Sequence, residues 1–153
     1  MDSIFDVREL VRRLGCVKNK DRLEKIVFII NQKFPGSFGY RFNLGVGGVY
    51  SVELSNDVDY MIKIGLFTNL YKLEVVEREE FDGDDSIVWL DFAKILDTKY
   101  WMFLDALSAL VYLSCCYGYK HYNVDITFKQ KYPEYSDILG EIKEFACEYG
   151  LIK

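Results

Sequence analysis

The sequence predicts an α+β fold, mostly α, and three observations carry that expectation. Apolar residues recur at helical spacing through most of the chain, an Asp-Gly turn separates two short β-prone runs, and half of the 153 residues are hydrophobic. That much apolar side chain fills a packed core, so disorder is excluded except at the tips.

The first helix opens at Ser3 as a candidate N-cap and stops at Gly15. Phe5, Leu10, Val11 and Leu14 share its apolar spacing, and Arg8, Arg12 and Arg13 lie on its other faces. Asn19 caps a second helix, in which Leu23, Ile26, Val27, Ile30 and Phe34 form a stripe. Phe28 and Ile29 lie off that stripe, so this helix is expected to be buried on more than one side. Pro35-Gly36 ends it. Tyr40, Phe42 and Leu44 alternate with Arg41 and Asn43 as a short strand, which Gly45-Val-Gly-Gly48 breaks.

A third helix runs from Ser51 to Gly65 with Leu54, Val58, Met61 and Ile62 facing inward. Leu70 to Glu77 and Ser86 to Leu90 read as two strands joined by the turn Asp82-Gly-Asp-Asp85. Helix, helix, helix and hairpin is the order of a winged helix-turn-helix, here with an extra strand before the third helix. An apolar helix around Trp101 to Leu113, a short polar helix from Asn123 to Lys131 and a last helix from Ser136 to Tyr149 complete the chain. The expected organisation is a winged-helix domain over residues 1–92 and a helical extension over 93–153 packed on it as one unit.

Charge narrows the function. The net charge of −5 divides into +3 over residues 1–33 and −7 over residues 74–105. Phosphate binding needs local cations and not a basic total, so double-stranded DNA remains a candidate partner. Its expected contacts are Arg8, Arg12, Arg13, Lys18, Lys20, Arg22 and Lys25, with Ser51, Ser55 and Asn56 at the third helix. Glu53, Asp57 and Asp59 on that helix, and the acidic wing beyond it, would repel a duplex. The competing expectation is a protein partner meeting the wing through Glu79, Glu80, Asp84 and Asp85.

Catalytic and metal chemistry find little support. His121, the single histidine, lies in a Tyr-Lys-His-Tyr-Asn run that reads as a solvated turn, with no nucleophile beside it. Cys16, Cys115, Cys116 and Cys147 lack metal-ligand spacing and are expected to be small core thiols. Asp82-Gly-Asp-Asp85 lacks the distal acidic ligand of a calcium loop, and Gly45-Val-Gly-Gly48 lacks the Lys and Ser/Thr of a phosphate loop. The expectation is a protein that is not an enzyme and needs no metal or cofactor. Ser51 reads as the cap of the third helix, with phosphate binding at the same helix end as the alternative, and Tyr50 as a core residue.

No run of eighteen uncharged apolar residues occurs, and the N-terminal residues lack the basic start of an export signal, so a cytoplasmic location without membrane contact is expected. Gln occurs only at Gln32 and Gln130, a composition of proteins from hot-growing organisms. Trp101, Phe103, Leu107 and Val111 extend the apolar surface of their helix, which suggests a homodimer.

The runs Arg22-Leu-Glu-Lys-Ile-Val-Phe-Ile-Ile30, Gly39-Tyr-Arg-Phe42, Gly48-Val-Tyr-Ser-Val-Glu-Leu54 and Ile64-Gly-Leu66 resemble the YwgA-like proteins. These are small winged-helix proteins loosely related to SocA-type antitoxin domains. Their pattern opens the second helix with Lys-Leu-Gln-Lys and the third with Gly-Pro-Tyr-Ser, where this chain has Arg22-Leu-Glu-Lys25 and Gly48-Val-Tyr-Ser51. Leu107-Ser-Ala-Leu-Val-Tyr-Leu113 and Lys131-Tyr-Pro133 match the family's Leu-Ala-rich helix and Lys-Pro corner. The resemblance implies a winged-helix fold and a regulatory or antitoxin-like role.

Overall fold

The computed structural model describes residues 3–76, 86–116 and 121–152. They form α1 (Ser3–Leu14), α2 (Lys20–Lys33), β1 (Asn43–Gly45), β2 (Gly48–Tyr50), α3 (Val52–Lys63), α4 (Leu90–Asp97), α5 (Trp101–Cys115), α6 (His121–Lys131) and α7 (Leu139–Glu148), with a 3-10 segment at Pro133–Ile138. The fold is therefore α+β and mostly α. No helix among the described residues is long and apolar enough to cross a membrane.

Two helices make the centre, and their sequences explain why. Leu23, Ile26, Val27, Phe28, Ile29 and Ile30 of α2 are all buried, as are Phe103, Leu104, Leu107, Leu110, Val111 and Leu113 of α5. Helical runs apolar on more than one side must be covered on more than one side. They pack on each other, with α4 and α3 against α2, α6 and α7 against α5, and β2 against both. Asn19 caps α2 by accepting from the Arg22 N–H at 2.9 Å. At the far end, the Lys33 ammonium donates to the Tyr149 carbonyl at 2.8 Å and lies over the rings of Phe34, Phe92 and Tyr149, which ties α2 to the end of α7. A boundary between residues 92 and 93 falls inside α4, and one hydrophobic cluster spans both sides of it.

Several elements differ from the sequence expectation. Tyr40 to Leu44 is not one strand: β1 begins at Asn43 and pairs antiparallel with β2, with Asn43 opposite Tyr50 and Gly45 opposite Gly48. Tyr40 instead donates its hydroxyl to Asp57 at 2.7 Å, and Phe42 packs edge-on against Phe28. The glycine run is thus the hairpin turn itself. Ser86 to Leu90 is not a strand, because Leu90 opens α4, whose Leu90, Phe92, Ala93 and Leu96 continue a helical period into the core. Of the Leu70 to Glu77 run, the described residues 70–76 pair only through isolated bridges, Val17 with Leu73 and Phe67 with Val75. Asp82 to Asp85 lies outside the described residues. The last helix starts at Leu139 and not Ser136, since the chain leaving Pro133 winds as a 3-10 segment first. In α1, Phe5 is exposed and Val7 is buried.

Three further expectations fail on burial. Tyr50 lies at the hairpin surface, 41% exposed, with its ring beside Gly45. All four cysteines are exposed free thiols, since each lies at or beyond a helix end where the apolar stripe runs out. Phe103, Leu107 and Val111 are buried inside the molecule, which removes the apolar surface from which a homodimer was expected and leaves only Trp101 exposed.

Gly48 sets how closely the hairpin approaches α5. Its φ is +98°, and a β-carbon there would stand 2.6 Å from the Asp105 carbonyl oxygen and 2.7 Å from Ser108 Oγ. Gly36 also has a positive φ but meets nothing within 4 Å. Gly48→Ala is expected to cost more than about 2 kcal/mol and Gly36→Ala about 1 kcal/mol in urea unfolding. Equal losses would show that the close approach to α5 has no energetic weight.

Candidate functional site

The cations expected to meet phosphate are largely taken up inside the molecule. Glu9 Oε2 accepts from Arg12 Nε at 3.0 Å, and its Oε1 accepts from Arg12 at 2.7 Å and from Arg13 Nε at 2.7 Å. The Arg12 hydrogen bond leads the effects that hold the Glu9 carboxyl below its ordinary range. Lys20 donates to Ser55 Oγ at 2.9 Å and to Asp59 at 3.0 Å, so two expected site residues meet each other. Arg22 donates to the Asp97 carbonyl at 2.8 Å, with the Asp97 carboxylate 3.6 Å away. Arg8 is half-buried, whereas Lys18 and Asn56 are exposed. Glu79, Glu80, Asp84 and Asp85 lie outside the described residues.

Ser51 serves the fold. Its Oγ accepts from the Leu54 N–H at 3.1 Å and caps α3, while its own N–H donates to the buried Glu24 carboxylate. Burial pushes the Glu24 carboxyl up, and the Ser51 N–H partly opposes that. Ser108 Oγ donates to the Asp105 carbonyl at 2.8 Å and accepts from the Val49 N–H at 3.2 Å. Both hydroxyls are therefore committed to structure.

Lys25 is the expected residue whose surroundings differ most from a basic face. It is 5% exposed, and its ammonium stands 4.0 Å from Asp105 Oδ1, beyond hydrogen-bonding reach. Asp105 Oδ2 accepts one long hydrogen bond, 3.3 Å from the Tyr135 hydroxyl. Burial pushes the Asp105 carboxyl up to about 6, with Lys25 opposing and Asp21 reinforcing the shift. Burial and Asp105 push the Tyr135 hydroxyl up to about 12.

Asp105 also lines a cleft of about 510 Å³ between the starts of α2 and α5, together with Lys18, Asp21, Arg22, Tyr100 and Trp101. Sequence reading missed this site. The signal for it was a pair of adjacent charges, Glu24 and Lys25, inside the apolar run Leu23 to Ile30 of α2, and Asp105 as the one charge in α5. Among the described residues, no three His, Cys, Asp or Glu side chains gather as metal ligands.

Comparison with known proteins found no matching family model, no matching curated protein and no matching solved structure.

Asp105 gives stability a defined pH dependence. Its folded value near 6 exceeds the unfolded value of 3.8, so the folded state holds the proton more tightly between the two. The cost of ionising it is absent below about pH 4, grows as pH rises toward 6 and is complete above that, reaching about 1–2 kcal/mol after solvent screening. Asp105→Asn should flatten the fall in unfolding free energy between pH 4 and 7. An unchanged slope would remove Asp105 from the account.

Proposed function

We propose that the chain is a protein-binding adaptor on a helix-turn-helix-like scaffold, with the outward face of α3 as its contact surface. The observation that carries this reading is the internal pairing of the cations: Glu9 occupies Arg12 and Arg13, Asp97 occupies Arg22, and Asp59 occupies Lys20. A duplex would have to compete with each of those carboxylates for its cation. The outward face of α3 carries Val52, Tyr60 and Ile64 exposed, interspersed with Glu53 and Asn56. Exposed apolar and aromatic groups on one helix face suit a protein partner, and the Glu53 carboxylate beside them favours one that is apolar with a basic group at its rim. A regulatory role through such a partner agrees with what the family resemblance implies.

Exposed side chains can be removed without unfolding the protein, which makes the reading testable. Tyr60→Ala and Ile64→Ala should each shift stability by less than about 0.5 kcal/mol and abolish capture of a co-purifying protein. Binding to a DNA duplex at low salt should be absent. Duplex binding that falls steeply with salt and is lost in Lys18→Glu would replace the adaptor with a DNA-binding regulator.

A further inference from the structure

Apart from Arg22 and Lys18, the cleft between the starts of α2 and α5 is lined by groups that the adaptor reading does not use. Its volume of about 510 Å³ lies in the range of small-molecule sites. Tyr100 and Trp101, the residues that open α5, are 49% and 60% exposed at its wall, with Leu104 beside them. Large aromatic surface left in water at a concave site favours an apolar group that covers it.

The polar lining carries both signs of charge. Arg22 is satisfied by Asp97, but Lys18 and Asp21 are exposed and have no ion pair among the described residues. Asp105 holds only its long bond from Tyr135 and the distant Lys25. Asp21 and Asp105 also repel each other, since Asp21 makes the Asp105 charge less favourable. A cationic group placed between two such carboxylates relieves both. A phosphate would face the same two carboxylates with one unpaired cation, and a polyamine would leave Lys18 unanswered. A ligand with one ammonium and one carboxylate answers the whole set.

We propose that this cleft binds a zwitterion of the free α-amino acid class, with its ammonium toward Asp21 and Asp105, its carboxylate toward Lys18 and its apolar side chain against Trp101 and Leu104. This inference is independent of the partner on α3. Asp21 and Lys25 from α2 and Tyr135 from the 3-10 segment are the charged and titratable groups that act on Asp105, whose carboxyl burial pushes up to about 6. Ligand affinity should therefore fall as pH drops below 6.

Trp101 supplies the readout. In a Trp89→Phe background, which removes the other tryptophan from its buried place beside Phe38, Trp101 fluorescence reports the cleft alone. The full chain is titrated with free leucine, phenylalanine and the other non-fluorescent amino acids, and with N-acetyl-leucine and leucinamide. Saturable binding of at least one free amino acid is expected, with an affinity loss of about tenfold or more when either charge is blocked. Lys18→Met, at an exposed position, should weaken leucine by a similar factor and leave leucinamide unaffected. Asp105→Asn should weaken leucine and leave N-acetyl-leucine unaffected. The proposal is overturned if no free amino acid gives a saturable signal by about 10 mM, if the blocked analogues bind as tightly as leucine, or if Lys18→Met changes nothing.

Discussion

The burial of Glu24 and Lys25 in the middle of α2 is the constraint around which the other elements are arranged. Taking a carboxylate and an ammonium out of water costs several kcal/mol for each unless neighbouring groups answer them. Glu24 is answered by the backbone N–H of Ser51, so the start of α3 must lie against the middle of α2. Lys25 has Asp105, so the second turn of α5 must lie there too. The β1–β2 hairpin fills the angle between the two, its Val49 buried and its N–H held by Ser108. Apolar packing alone would let two featureless helices slide or rotate, whereas two buried charges with single partners select one arrangement.

The parts of this fold that sequence reading found are those decided within a few residues. Asn19 and Ser51 act as caps because a cap joins a side chain to an N–H three residues on. The central helices were visible because their apolar residues far exceed what one face requires. The parts it missed are decided at long range. Ile87 to Leu90 is as β-prone as any strand in isolation, and only contacts of α4 with α1 and α2 make it the approach to a helix. The cysteines look apolar by their neighbours, but helix ends place them outside the core.

The site shows the same division. Arg12 and Arg13 pair locally with Glu9, whereas the availability of Lys20 and Arg22 is not readable near the N-terminus, because their partners come from far along the chain. Lys20 finds Asp59 across 39 residues, and Arg22 finds the Asp97 backbone across 75. A charge sum over residues 1–33 therefore overstates the field that a ligand would meet. The acidic excess of residues 74–105 includes Asp97, which pairs with Arg22, and Asp105, which faces Lys25 at 4.0 Å, so the two ends of the charge imbalance partly cancel once folded.

Ser108 contributes one hydroxyl, with the hairpin on one side of it and its own helix on the other. It accepts from Val49 and donates one turn back to Asp105, and Gly48 leaves it no room for a larger neighbour. Three positions distant in the chain thus share one small volume. Across relatives of this protein, residues 48, 105 and 108 should drift as a unit: a side chain gained at 48 requires both a smaller residue at 108 and a retreat of the α5 backbone. Such a retreat would carry Asp105 away from Lys25. Substitutions at a hairpin turn would in this way be recorded as changes in the cleft that Asp105 lines, and the history of these positions should be written in that correlation rather than in any one conserved residue.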